Sequence, residues 1–290
     1  MGKTAIVTGG AQGIGLGIAR ACLGVGMRVA IADLHAEKLD HAAQTLAAPD
    51  RVLTFTLDVA DRNAMTAFAD KVEAEFGPIH VLCNNAGVGF GGRVTTVEPE
   101  SWNRTMNTNL IGVLNGIQVF VPRILRHGEG GHIVNTASIT GFAQQGDLVP
   151  YGVSKAGVIA MTEILRVELA GKVRDRWHNM YSAGAARWPD GNPPEALVSA
   201  SVLLPDAVDT ELSGFHINPQ DDDATRQRKR EWLRRMDIEL VRPDVVGSYV
   251  IAGIINDELY IFCDNHGSRR LVQTRSDAMI SALRRQFPDS

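Results

Sequence analysis

The chain has 290 residues, 44% hydrophobic and 21% charged, an ordinary globular composition with enough length for a sizeable core, which excludes wholesale disorder. Lys and Arg (29) against Asp and Glu (33) leave a net charge of −4, so the basic balance of a nucleic-acid binder is missing. Cys22, Cys83 and Cys263 are too few and too scattered for a disulfide framework or a metal cluster, no run of about 18 apolar residues marks a membrane span, and no signal-like leader precedes the first strand, so the expectation is a cytoplasmic protein with no metal.

Short apolar, β-branched runs at 4–8, 28–33, 52–58, 79–83, 131–137, 200–204 and 259–263 read as strands. Amphipathic stretches between them read as helices; 61–76 carries apolar residues at 65, 68, 69, 72 and 76. Strands that alternate with helices, and are apolar throughout, predict an α/β fold. The expected form is a doubly wound, Rossmann-type sandwich with a seven-stranded parallel sheet, in one domain over 1–290.

The first strand runs into Thr8-Gly-Gly-Ala-Gln-Gly-Ile-Gly15 and then into a helix. Glycine permits a tight turn and close approach to a pyrophosphate, while the helix N-terminus offers free N–H groups to phosphate. Gly9, Gln12, Gly13, Ile14 and Gly15 are therefore read as cofactor-binding. The second strand ends at Asp33, followed by Leu34, with no Arg or Lys at 9–15. An acid there accepts hydrogen bonds from ribose hydroxyls and repels a 2′-phosphate, so NAD is expected over NADP. The competing role for Asp33 is a helix N-cap. Asp58 and Val59 end the third strand, where the carboxylate either meets an adenine amino group or caps the next helix. Asn84-Asn85-Ala86-Gly87 ends the fourth strand, at the sheet edge where ligands bind.

Helices are expected at 99–127 and 150–170. Gly152, Ala156, Gly157 and Ala160 crowd part of the second, which suits close approach of a partner helix. Tyr151 and Lys155 are four apart, so they share one face, and an ammonium there lowers the phenol pKa toward usable acid–base chemistry. Ser138 ends the fifth strand and is placed to hydrogen-bond a substrate oxygen.

Two stretches exceed a normal αβ connection: 171–199, and 211–241 with a helix from about 223 to 240. Asp221, Asp222 and Asp223 complement the N-terminus of that helix, and Arg226, Arg228, Lys229, Arg230, Arg234 and Arg235 follow. The basic run reads as a solvated face, with an anion-binding role as the alternative. A tail begins at 264.

Taken together, TGGAQGIG at 8–15, Asp58, NNAG at 84–87, Asn109, Ser138, Tyr151 and Lys155 resemble the short-chain dehydrogenase/reductase family over nearly the whole chain. The resemblance implies that Tyr151 is the catalytic acid/base and that Ser138 holds the substrate oxygen. It implies that Lys155 binds the nicotinamide ribose and lowers the tyrosine pKa. Asn109 would hold a proton-relaying water, and Asn85, Ala86 and Gly87 would shape the cofactor floor. Pro205, Val208 and Thr210 match the positions beside the carboxamide, but Asp206 stands where the family usually has glycine. A looser likeness, through Asn115–Pro122 and Leu259-Tyr-Ile, is to members that oxidise bulky aryl carbinols such as lignin β-aryl ethers.

The expected substrate is a hydrophobic secondary alcohol or ketone, aromatic or cyclic; hydroxysteroid-like or polyketide-like alcohols and a non-catalytic NAD(H) sensor are the alternatives. Thr140, Phe142, Gln144, Leu148, Asp206 and Phe215, with Ser138 and Tyr151, are the expected substrate contacts. Phe90, Arg93, His216 and Trp232 are further candidates for the pocket wall. The resemblance also implies a homo-oligomer, dimer or tetramer. The 171–199 segment leaves the far edge of its own sheet, so it is expected to serve oligomer contacts or the neighbour's pocket, with a solvated loop as the alternative.

Overall fold

The computed structural model of the chain describes residues 2–170, 198–213, 221–235, 238–263 and 267–287. Most of the 171–199 segment, with Phe215 and His216, lies outside the described residues.

In chain order the elements are β1 (Thr4–Thr8), α1 (Gly13–Gly24), β2 (Arg28–Asp33), α2 (Ala36–Leu46), β3 (Val52–Thr56), α3 (Arg62–Phe76), β4 (Val81–Asn84), α4 (Pro99–Met106), α5 (Gly112–Arg126), β5 (Gly131–Thr136), α6 (Val149–Leu169), β6 (Val198–Leu204), α7 (Asp223–Arg235), α8 (Pro243–Asn256), β7 (Tyr260–Phe262) and α9 (Gly267–Gln286). All seven strands pair in parallel in the order β3-β2-β1-β4-β5-β6-β7. This is the doubly wound, Rossmann-type α/β sheet. The order turns back between β1 and β4, and the crevice at that point, at the carboxyl ends of the strands, is where such sheets hold ligands.

Alternate residues of each strand feed opposite layers. Ala5 and Val7 join Ile18, Ile31 and Val246 on one face, while Ile6 packs with Phe68, Leu82 and Phe120 on the other. Both faces are covered, which is why the strands read as unbroken apolar runs. Pro99–Arg126 is long and apolar enough on composition to cross a bilayer, yet half of its most apolar window is buried in the protein, including Phe120 and Ile124.

Four expectations change, the first being the helix expected from about 223 to 240, which ends as α7 at Arg235 with 238–240 outside any helix. The 99–127 helix is not uniform: Asn107–Ile111 forms a π-helical turn between α4 and α5. The tail beyond 264 contains a 20-residue helix, α9. β6 begins at Val198, two residues earlier than its apolar run suggested.

α1 and α8 approach at backbone distance. A Cβ on Gly17 would lie 2.2 Å from the Pro243 carbonyl oxygen, and one on Gly247 2.3 Å from that of Gly17. Neither neighbour is a flexible side chain, so Gly247→Ala is expected to destabilise the protein by about 3 kcal/mol, at the upper end of overpacking costs. Urea unfolding measures this, and an unchanged midpoint would contradict the contact.

Candidate active site

The turn after β1 is stitched to the end of β4. The Thr8 hydroxyl accepts from the Asn85 and Ala86 N–H groups at 3.0 and 3.1 Å, and Asn85 Nδ2 donates to the Thr8 and Gly9 carbonyls at 3.1 and 3.2 Å. No side chain fits inside it: a Cβ on Gly15 would sit 2.0 Å from the Gly9 carbonyl oxygen, and Gly13 has φ +53°. Gln12 is the N-cap of α1 but makes no side-chain cap, so the first N–H groups of α1 remain open to an anion.

Asp33 accepts from the Ala11 N–H at 3.2 Å and the His35 N–H at 3.3 Å, tying the glycine turn to the end of β2. It does not cap α2, whose N-cap is His35. Leu34 beside it is exposed. Asp58 accepts from the Ala60 N–H at 2.9 Å, while α3 is capped by Asp61. Capping is thus excluded for both carboxylates. Val59 is buried, and a Cβ on Gly112 would lie 2.5 Å from its side chain. A turn that admits no side chain, an uncapped helix start and a carboxylate at the next strand end fit a dinucleotide.

The other half of the crevice gathers around one buried ammonium. Lys155, 3% exposed, donates to the Thr136 carbonyl at 2.8 Å, and its Nζ lies 5.5 Å from the centre of the half-buried Tyr151 ring. Asn109 sits on the π-helical turn, where its amide accepts from the Val88 N–H at 2.8 Å and donates to the Val88 carbonyl at 2.9 Å and Ser154 Oγ at 3.1 Å. A Cβ on Gly87 would touch both Asn109 Oδ1 (3.3 Å) and Lys155 Nζ (3.4 Å). Glycine at 87 therefore leaves room directly over the two groups. π-turns of this kind often mark functional sites, because they re-aim a side chain inside a helix.

Burial raises the Tyr151 phenol pKa, opposed by a hydrogen bond with Ser138. Burial also brings Lys155 down to about 8. The expected lowering of the phenol by the ammonium is not found: burial raises it, and Ser138, not Lys155, is the group that opposes burial.

Ser138 Oγ is buried, 3.1 Å from Thr140 Oγ1 and 3.3 Å from the Pro205 carbonyl, and accepts from the Thr140 N–H at 3.2 Å. Thr140 therefore supports Ser138. Gln144 Nε2 donates to the Gly141 carbonyl at 2.9 Å, bracing the same short turn. Phe142 packs edge-on to Tyr260 at 6.2 Å, Leu148 bridges to Gly92, and Phe90 lies under Arg104. Arg93 is exposed, and Trp232 on α7 is 41% exposed.

The segment after β6 is held by a parallel bridge between Val208 and Val241, with hydrogen bonds of 2.9 Å from Asp209 N–H to Val241 and from Val241 N–H to Ala207. Asp206 is exposed. It takes glycine's place without strain, since the non-glycine residues with positive φ among those described are Ala47 and Asp257. Thr210 packs on the glycine turn, 3.1 Å from where a Gly13 Cβ would lie.

Val241 and Arg275 carry no sequence signal, and Tyr260 enters the sequence reading only through the Leu259-Tyr-Ile likeness. Arg275 of α9 donates to the Phe142 carbonyl at 2.6 Å. The spacing of Val272, Met279, Ile280, Leu283 and Phe287 is a helical signal that would have found α9. The expected partner-facing glycines of α6 are met by this chain itself: Gly152 by Gln144 and Gly157 by Leu110. In the basic run, Arg226 pairs with Asp223 and Lys229 with Asp221, at 2.6 and 2.8 Å.

Residues 3–174 match the family model for short chain dehydrogenases. The chain belongs to the short-chain dehydrogenase family. It is 31% identical over 252 residues to the probable oxidoreductase EphD of Mycobacterium tuberculosis, covering 86% of this chain but only 38% of that protein. Against the NADP-dependent (R)-specific alcohol dehydrogenase of Lentilactobacillus kefiri the identity is 34% over 188 residues, 65% of this chain and 75% of that one. Against the C alpha-dehydrogenase of Sphingobium sp. strain SYK-6 it is 32% over 220 residues, 75% and 68%. A short-chain dehydrogenase from Burkholderia phymatum, solved in complex with NAD, superposes with a TM-score of 0.76 at 26% identity, covering 96% of this chain and 95% of that one.

One trio outside the crevice, His80, His127 and Glu129, has ligand-like spacing. All four ring nitrogens are engaged within the protein: His80 with the Thr4 N–H and Glu129, His127 with the Ile79 carbonyl and the Glu129 N–H. It is a hydrogen-bonded network that would have to break to take a metal.

Proposed function

We propose that this short-chain dehydrogenase uses NAD to interconvert a secondary alcohol and a ketone on a hydrophobic, aromatic or cyclic small molecule. The observation that carries the reading is the convergence of Tyr151, Ser138 and the buried Lys155 ammonium at the crevice, beside the room left by Gly87.

Gly9, Gln12, Gly13, Ile14 and Gly15 would hold the diphosphate and Asp33 and Leu34 the adenosine ribose. Asp58 and Val59 would meet the adenine. Asn85, Ala86, Gly87, Pro205, Val208 and Thr210, with Tyr151 and Lys155, would line the nicotinamide half. Bound there, the nicotinamide supplies or takes the hydride. Ser138 orients the substrate oxygen, and the Tyr151 hydroxyl gives it a proton or removes one. Lys155 would bind the ribose, and Asn109 would pass protons to it through a held water. Phe142, Gln144, Leu148 and Asp206 would shape the substrate wall, and Thr140 would position Ser138. The likeness to the C alpha-dehydrogenase supports a bulky aryl alcohol.

The same reading takes 1–290 as one domain, acting in the cytoplasm as a dimer or tetramer. Val153 and Ile164 leave apolar surface on α6 for a second copy, and light scattering tests this. A lone monomer would contradict it.

A panel of aryl, alicyclic and steroid alcohols, followed by NADH formation, tests the substrate class; turnover confined to primary or charged alcohols would overturn it. Asp33→Ala is expected to weaken NADH binding about tenfold, as for a lost charge-assisted hydrogen bond. Fluorescence titration measures that, and tighter binding of NADPH than NADH by the unaltered protein would refute the choice of NAD.

A further inference from the structure

Two basic helices stand at the carboxyl edge of the sheet, and the proposed chemistry uses neither. α7 follows the end of β6 and α9 the end of β7. α7 belongs to an excursion whose ends, Val208 and Val241, are bridged, and α9 is tied through Arg275 to the Phe142 carbonyl. In a chain of net charge −4, α7 carries six cations against two acids, and α9 five arginines against Asp277. Arg228, Arg234 and Arg235 of α7 and Arg270, Arg284 and Arg285 of α9 are exposed. The buried residue of α9 is Ser268. Farther along, Met279, Ile280, Leu283 and Phe287 fall on one face at helical spacing and are 53%, 45%, 59% and 62% exposed. Trp232 adds an exposed aromatic ring on α7.

We propose that α9 and α7 form a docking surface for an anionic phospholipid bilayer. α9 lies in the interface plane, its apolar stripe toward the acyl chains and its arginines among the headgroup phosphates. A helix that is basic on one side and apolar on the other, with low overall hydrophobicity, has the character of an interfacial helix rather than of a spanning or a core one. Charge decides the occupant. A contact with a second copy about a two-fold axis sets the same patch against itself and would oppose these arginines to one another. A nucleic acid would satisfy the arginines but leave the stripe in water. An anionic bilayer takes both, because phosphates and hydrocarbon lie a few ångströms apart at its surface. Docking in this way would turn the crevice edge of the sheet toward the bilayer, a source of hydrophobic substrate. That consequence rests on the substrate reading; the binding itself does not.

Co-sedimentation of the full chain with vesicles tests this without substrate or cofactor. One set holds phosphatidylglycerol and phosphatidylcholine in equal parts, the other phosphatidylcholine alone. The chain is expected to bind the anionic vesicles at least about tenfold more tightly than the neutral ones, and less tightly as salt rises. Arg284→Gln with Arg285→Gln is expected to weaken binding about twentyfold, roughly fivefold for each basic residue. Leu283→Gln with Phe287→Gln is expected to weaken it about tenfold or more through lost apolar insertion. All four side chains are exposed, so both variants are expected to keep the parent's urea midpoint. No binding to either vesicle, equal binding to both, or binding that survives both pairs of substitutions overturns the proposal. Light scattering and a duplex DNA run in parallel give the rival outcomes. An oligomer that dissociates in the Leu283→Gln, Phe287→Gln variant while the parent ignores vesicles would assign the stripe to a second copy. Retention of DNA but not of vesicles would assign the arginines to nucleic acid.

Discussion

Tyr151→Phe is expected to cut turnover sharply and to leave NADH binding in place. The substitution removes one hydroxyl and keeps the ring that packs near Lys155 Nζ, 5.5 Å from its centre. In the proposed mechanism that hydroxyl is the group that moves the proton at the substrate oxygen. Positioned acid–base groups contribute about 10²–10⁴-fold, so kcat should fall in that range while the affinity for NADH stays within about twofold. Steady-state rates and fluorescence titration give the two numbers. Retained turnover would remove Tyr151 from the proton path. A parallel loss of NADH binding would make the residue a cofactor contact above all.

Lys155→Met is expected to inactivate the enzyme and to stabilise it at neutral pH. Burial brings this lysine from its ordinary 10.5 to about 8 in the folded chain. At pH 7 it is charged in both folded and unfolded states, and keeping the charge inside costs about 3 kcal/mol for a shift of that size. Between about pH 8 and 10.5 the unfolded state binds more protons than the folded one, so this cost is relieved as pH rises. The hydrogen bond to the Thr136 carbonyl offsets about 1 kcal/mol. Methionine keeps the apolar stem and discards the charge, so the variant should gain about 2 kcal/mol at pH 7, shrinking by pH 9.5. Urea midpoints of both proteins at the two pH values measure it. A variant less stable than its parent at pH 7, or a difference that does not change with pH, would contradict a strained ammonium. A stability gain with a loss of activity is the mark of a group kept for chemistry.

Much of the crevice was legible without coordinates. The glycine turn, Asp33, NNAG, Ser138, Tyr151 and Lys155 each lie within a short local pattern, and local patterns set turns, strand ends and helix faces. Position alone left the carboxylates ambiguous, because Asp33 and Asp58 both precede helices. Coordinates separate the roles: Asp33 reaches back 22 residues to the Ala11 N–H, and Asp61 takes the cap of α3. The π-turn that aims Asn109 has no periodicity distinguishing it from the helix around it. Desolvation of Lys155 depends on neighbours distant in the chain.

What the sequence determined by itself was therefore the class of fold and the row of polar residues along the carboxyl edge of the sheet, since a strand covered on both faces is apolar and a turn this tight must be glycine. Only the tertiary structure decided how those residues are held. Thr8 is bonded to Asn85 and Ala86, 77 and 78 residues away, and Lys38 to Glu211, 173 away. α8 lies against α1 through Gly17 and Gly247. Such contacts carry no local signature, because the energy that selects them comes from surfaces that meet only once the sheet has formed.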